Sequence, residues 1–215
     1  MDDAVVEPST DLGNTRRGVP RWLRGGFGIV VVALGIMWFV EILDTVALDD
    51  RLEGNGIQPR DIDGLDGIAW APFLHGSFAH LISNTIPFVL LSGLALARGF
   101  RRYLAASLII IGFGGALVWL LAIGSNENHV GASGWVFGLF GFVIGSALLE
   151  RRPLTIIAAL VAVVLYGGTI LFGFLPRPGL SWEGHLFGLF AGLLAARLLV
   201  RSNRRTDDPE LAEAA

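Results

Sequence analysis

The chain contains no cysteine and no lysine, and only 16% of its 215 residues are charged. The missing cysteine excludes disulfides and thiolate–metal sites. The missing lysine makes every one of the 16 basic residues an arginine. A soluble domain carries roughly 25% charged residues, so a large hydrated surface is not what this composition builds. The net charge of −3 gives no overall basic character, and no nucleic-acid partner is expected.

Apolar length is present instead. Hydrophobic residues make up 53% of the chain, gathered into six stretches at about 27–43, 78–96, 103–123, 131–149, 154–175 and 182–200. A bilayer-spanning helix needs roughly 20 apolar residues, with a range of about 17–25, and each stretch meets that length. The first is too long for a signal-peptide core and follows a polar segment, so it should remain as a span. Thirteen arginines lie before the first stretch, in the second–third and fourth–fifth links, or at the end of the sixth. Arg51, Arg60 and Arg177 fall in the alternate links. Positive charge stays on the cytoplasmic side, which places both termini inside and the long first loop outside. The expected fold is an all-α membrane protein, a six-transmembrane-helix bundle over 27–200. Tails at 1–26 and 201–215 flank it, and their polar ends, 1–18 and 206–215, read as disordered.

The loop at 44–74 is the one long link. It carries seven acidic residues, from Asp44 to Asp66, punctuated by Gly54, Gly56, Pro59, Gly64 and Gly67. Loops of that length are usually functional. Its segment from Trp70 to Leu74 suits either a membrane interface, where Trp is favoured, or an acidic solvated loop. Glu41, at the outer end of the first stretch, reads as an interfacial residue.

Polar, reactive side chains recur inside these apolar stretches, where they are costly and mark function by default. Ser133, in Gly131-Ala132-Ser133-Gly134, falls in the first turn of the fourth stretch. Unpaired N–H groups and the positive end of the helix dipole favour an anion there. His185 opens the sixth stretch beside Gly184, level with Ser133. Gly134, Gly138, Gly141 and Gly145 on the fourth, with Gly184, Gly188 and Gly192 on the sixth, form small-xxx-small patterns that let helix backbones approach. A seam of this kind brings Ser133 and His185 face to face, and a neutral imidazole then accepts the hydroxyl proton. No carboxylate is placed to orient the ring, since Glu183 points to another helix face. The arrangement is therefore a Ser–His dyad held by packing, with Phe137, one turn below Ser133, the ring expected to stack on His185. His80 and Asn84 share a face of the second stretch and, with the Ser133 amide, supply an oxyanion hole. His75 either assists or anchors the loop. Read singly, each residue also fits plain packing; the conjunction carries the chemistry.

His75-x4-His80-x3-Asn84, Gly131-x-Ser133-Gly134 and Gly184-His185-x2-Gly188-x3-Gly192 together resemble the three signatures of the rhomboid family of intramembrane serine proteases, in the family's order. The resemblance covers about 27–200. It implies a rhomboid-like bundle with Ser133 as nucleophile, His185 as general base, and His80, Asn84 and the Ser133 amide binding the oxyanion. It implies single-span membrane proteins as substrates, cut near the outer end of their helix, with no cofactor and no metal. Two positions depart from the common pattern. Asp66-Gly67 stands roughly where many members have Trp-Arg, and Phe137 stands where some relatives have Tyr.

Three rival readings are weaker. A non-catalytic rhomboid-like protein that binds or escorts membrane clients would usually lack the serine or the histidine. A zinc site needs converging ligands, and Asn84 is a poor one. A transporter would line a polar path through both leaflets, yet the inner halves of the stretches are almost wholly apolar. The Ala/Gly/Val/Leu/Arg bias suggests a GC-rich bacterial genome. The expected location is thus a bacterial inner or plasma membrane, multi-pass, with the site toward the external side.

Overall fold

The computed structural model describes residues 21–123, 128–177 and 179–206. The polar tail segments 1–18 and 207–215 lie outside them. Among the described residues, six helices are long and apolar enough to cross a membrane: Gly26–Leu48, Phe78–Leu96, Phe100–Leu121, Ser133–Glu150, Pro153–Gly173 and Trp182–Val200. The second matches the sequence expectation, and the sixth starts where expected at Trp182, its helix continuing to Thr206. The first runs five residues further because its α-helix passes into a wider π-helical turn at Asp44–Leu48. The third starts earlier, directly after Gly99, whose φ of 106° ends the preceding link. The fifth opens on Pro153, which suits a first helical position because its missing N–H would have no helical partner anyway.

The fourth span is the centre of the bundle. In its most apolar stretch 67% of the residues are buried, against 17% for the fifth span. Fully buried Phe88 and Leu91 of the second span, Tyr103 and Ile110 of the third, and Leu139 and Phe142 of the fourth fill the interior. Phe88 meets the Trp135 ring edge-on at 4.6 Å. Two pairs of polar groups in this core satisfy one another: Trp135 Nε1 donates to Ser107 Oγ at 3.1 Å, and Ser92 bonds the Tyr103 hydroxyl at 3.2 Å. Each such bond spares a desolvation cost of about 1–3 kcal/mol. Leu160, Val164, Leu171 and Phe172 of the fifth span point outward, and Val164 is 81% exposed. An apolar face of that kind is at home against acyl chains.

Glycine lets the fourth and sixth spans touch backbone to backbone. A Cβ on Gly188 would collide with the Gly134 carbonyl oxygen, and one on Gly192 with that of Gly138. A Cβ on Gly141 would lie 2.5 Å from the Leu189 carbonyl oxygen. The third span closes on the same seam through a π-helical turn at Ile110–Gly114, where Gly114 comes up against Ala191 and the Phe187 carbonyl. Gly138 is filled from the other side by Ile110.

The long first loop is folded rather than structureless. It contains short helical turns at Leu52–Asn55, Ile62–Gly64, Gly67–Trp70 and Ala71–Phe73. The Asp44 carboxylate accepts from the Leu52 and Glu53 amides, and Ile57 pairs with His129 across the mouth of the bundle. Trp70 is exposed while Ala71, Pro72 and Leu74 are buried, so this segment is partly a lid packed on the helices. Glu41, expected at the interface, is instead buried with Asp44 beneath the loop's start.

Replacing Gly192 with Ala should force the fourth and sixth spans apart and destabilise the protein by about 1–3 kcal/mol, the usual cost of overpacking. Gly28, also helical, has open space where a methyl group would sit, with nothing within 4 Å, and Gly28→Ala should be neutral or stabilising by up to about 1 kcal/mol. Thermal melting in detergent checks the pair; equal melting of the two variants would remove the seam from its structural role.

Candidate active site

Ser133 is the first residue of the fourth span's helix, and the two residues before it are tied down. Gly131 N–H donates to the Ala71 carbonyl at 2.9 Å, and Ala132 N–H to His75 Nε2 at 3.3 Å. The helix's own ladder begins with Val136 N–H bonding the Ala132 carbonyl. The Ser133 amide therefore has no acceptor among the described residues, as expected of a first helical turn. Gly131 has φ of 110°, a left-handed conformation that costs glycine nothing. It also has no room for a side chain: a Cβ would sit 2.5 Å from His80 Cε1 and 3.5 Å from Asn84 Nδ2. The chain thus turns into Ser133 directly against His80 and Asn84.

Asn84 is buried, and its Nδ2 has no hydrogen-bond partner among the described residues. A buried donor left unpaired costs about 1–3 kcal/mol, a cost that a bound acceptor would remove. His80 stands one turn earlier, where Ser77 Oγ caps the second span by accepting the His80 amide at 3.2 Å. Its ring meets that of His75 edge-on at 5.1 Å.

His185 lies across from this turn. Its ring stacks on Phe137, with centroids 4.0 Å apart and an interplanar angle of 7°. Its Nδ1 lies 2.7 Å from the Gly173 carbonyl oxygen. A carbonyl only accepts, so Nδ1 carries the proton and the lone pair sits on Nε2. Packing is therefore not the whole restraint, because a backbone carbonyl also fixes the tautomer. Glu183 is buried, but it is not a partner of His185. The seam sets the remaining distance, with Gly134 and Gly188 in backbone contact one residue after Ser133 and three after His185.

An open cavity of about 740 Å³ between the second and fifth spans is lined by His80, Asn84, Ser133, Phe137, Tyr166 and His185, among others. The structure thus brings Ser133, His185, His80, Asn84 and Phe137 to one chamber, with Gly131, Gly134 and Gly188 making the close approaches. His75 stands outside that lining, behind Ala132. Two further contributors lie beyond the residues that sequence reasoning identifies. Gly173 admits Phe137 and His185 because a Cβ there would strike Phe137 and lie 3.1 Å from His185 Nδ1; a lone Gly at the end of an apolar run gives no signal of this. Ser181 is legible as a helix cap, three residues before the Gly184 amide it accepts at 3.1 Å, and it also bonds His129 Nδ1 at 2.6 Å. Among the described residues no three His, Asp or Glu side chains converge as metal ligands.

Burial, with the neighbouring His80 second, pushes the His75 imidazole down from 6.5 to about 3, against the opposing Phe73 backbone carbonyl. Between those two values the unfolded chain binds a proton at this position and the folded chain does not. His75 therefore makes stability fall as pH drops from about 6.5 toward 3. His75→Gln, which keeps an acceptor for the Ala132 amide, should flatten that acid limb by up to one proton, about 1.4 kcal/mol per pH unit. Melting temperature against pH in detergent checks this; an unchanged slope would contradict a neutral, buried His75.

Residues 66–202 match the Rhomboid domain. The chain is 39% identical over 194 residues to an uncharacterized protein of Mycobacterium tuberculosis, covering 86% of this chain and 80% of that one. It is 36% identical to an uncharacterized protein of Mycobacterium leprae, over 86% and 76% of the two chains. A candidate rhomboid protease of Bacillus subtilis, YdcA, is 30% identical over 61% of this chain and 66% of its own length. These likenesses support intramembrane proteolysis as the broad activity and membrane proteins as its broad class of substrate. With its six apolar helices, and with a domain match that spans most of its length, this chain belongs to the rhomboid family.

Proposed function

We propose that the protein is an intramembrane serine endopeptidase that cuts single-span membrane proteins near the outer end of their helix, using Ser133 and His185 as a dyad. The observation that carries this reading is the set of groups gathered around one serine: a restrained imidazole on one side and unpaired donors on the other. Ser133 Oγ attacks the scissile carbonyl while His185 Nε2 takes its proton. The oxyanion that forms accepts from Asn84 Nδ2, His80 and the Ser133 amide. His185 then returns the proton to the leaving amine, the acyl bond to Ser133 is left, and a water activated by the same imidazole releases the second product. The Gly173 carbonyl performs the orienting task that a carboxylate performs in a triad, without adding a charge at membrane depth.

The cavity between the second and fifth spans gives the substrate its route. Pro87 in the second span has no N–H, so the Ser83 carbonyl lacks its helical donor where both residues line that cavity. An extended substrate segment has backbone N–H groups to offer there. The arginine distribution supports an orientation with the Ser133 end of the bundle outside the cell and the opposite end in the cytoplasm.

A serine-reactive fluorophosphonate should label the purified wild-type protein, and Ser133→Ala and His185→Ala should each abolish the label and lower proteolysis of a membrane substrate by about 10⁴-fold or more. Both variants should remain folded. Asn84→Ala removes one donor of several and should lower turnover by about 10²–10³-fold. A well-folded wild type that resists labelling, or variants that still cleave, would overturn the dyad and favour the client-binding alternative.

A further inference from the structure

At the end of the bundle remote from Ser133, three arginines and one glutamate line a single cavity. Arg98, just after the second span, pairs with Glu150 at the end of the fourth, and both side chains are about nine-tenths buried, at 8% and 11% exposure. Arg98 Nε is buried and has no acceptor among the described residues. Arg102, whose Nη1 donates to the Arg98 carbonyl at 3.3 Å, and Arg152 line the same cavity of about 250 Å³. The group carries three positive charges and one negative.

The fifth span begins at this cavity. Pro153 has no N–H to offer, and Ile156 N–H already bonds the Arg152 carbonyl. The Leu154 and Thr155 amides are therefore the first-turn donors left over, at the positive end of a 21-residue helix. Thr155 Oγ1 donates to the Arg152 carbonyl at 2.8 Å, which holds this turn in place. Surplus positive charge, a buried unpaired Nε–H and a helix N-terminus all call for an anion with several acceptor oxygens.

The rest of the lining is apolar. Leu94, Leu154, Ile157 and Val161 run from the arginines toward the bilayer, and Leu154 and Ile157 are 66% and 56% exposed. A free phosphate has no use for that wall, whereas an acyl chain does. From this arrangement we infer that the crevice between the second and fifth spans at this end binds the phosphate of an anionic phospholipid, with an acyl chain lying along Leu94, Ile157 and Val161. Basic pockets between spans at the cytoplasmic level are suited to such headgroups. The site is independent of the proteolytic reading, because it shares no residue with the Ser133 chamber.

Native mass spectrometry of the full chain, in micelles doped with phosphatidylglycerol or with phosphatidylcholine, tests this without any protease assay. One phosphatidylglycerol should be retained in preference to phosphatidylcholine, and millimolar inorganic phosphate should not displace it. The double variant Arg102→Gln/Arg152→Gln leaves the Arg98–Glu150 pair intact and should weaken phosphatidylglycerol binding about 30-fold. Arg101→Gln/Arg151→Gln, on the exposed neighbours, should leave binding unchanged, and the two double variants should melt alike without lipid. Equal binding by the two double variants, or no preference between the lipids, would overturn the site. Displacement by inorganic phosphate would overturn the lipid assignment in favour of a free anion.

Discussion

Everything at the Ser133 end depends on the backbone contact between the fourth and sixth spans. Apolar side chains gain little by leaving lipid for protein, so helices in a bilayer associate through close packing. Gly134, Gly138 and Gly141 set against Gly188, Leu189 and Gly192 bring main chain onto main chain, nearer than any larger residue permits. That proximity fixes the height of Ser133 relative to His185. It also makes the fourth span the enclosed axis on which the second, third and fifth spans arrange themselves.

Around that axis the polar groups divide into two kinds. Those in the core, such as Trp135 with Ser107 and Ser92 with Tyr103, satisfy one another and knit spans together. Those in the chamber do not. Asn84 Nδ2 and the Ser133 amide keep donors unspent, and His185 makes one hydrogen bond, to the Gly173 carbonyl, while His75, behind the chamber, accepts from the Ala132 amide. Unspent buried donors are a standing cost, and under the proposed function a developing oxyanion is the partner that removes it. The first loop closes this end by packing Ala71, Pro72 and Leu74 inward and by pairing Ile57 with His129. It serves the site by fixing the turn before Ser133.

The opposite end solves a different electrostatic problem. Among its described arginines, Arg101, Arg151, Arg152 and Arg197 are exposed. The Arg98 side chain is buried instead: it pairs with Glu150 and keeps an unpaired Nε–H beside a crevice that Arg102 and Arg152 also line. This crevice lies between the same two spans that flank the Ser133 cavity at the far end. The second and fifth spans thus carry the open sides of the bundle, and the fifth is the least buried of the six.

Much of this was legible in the sequence because membranes impose simple rules. Apolar length gave the six helices, and the second to the residue, because polar Gly76-Ser77 precedes it and Arg98 follows it. Spacing put His80 beside Asn84, and glycine periodicity announced the seam. Helix ends were less readable where backbone geometry rather than hydropathy sets them: at Gly131, whose positive φ keeps it out of the fourth span, and past Leu43, where a π-helical turn carries the first span on. Only the tertiary structure could supply the Gly173 carbonyl, the burial of Glu41 and the folded first loop. Each depends on contacts between segments far apart in the chain, and a backbone carbonyl has no signature in a sequence. Residue type and period determined which groups reach membrane depth; the packing of six helices decided which of them meet.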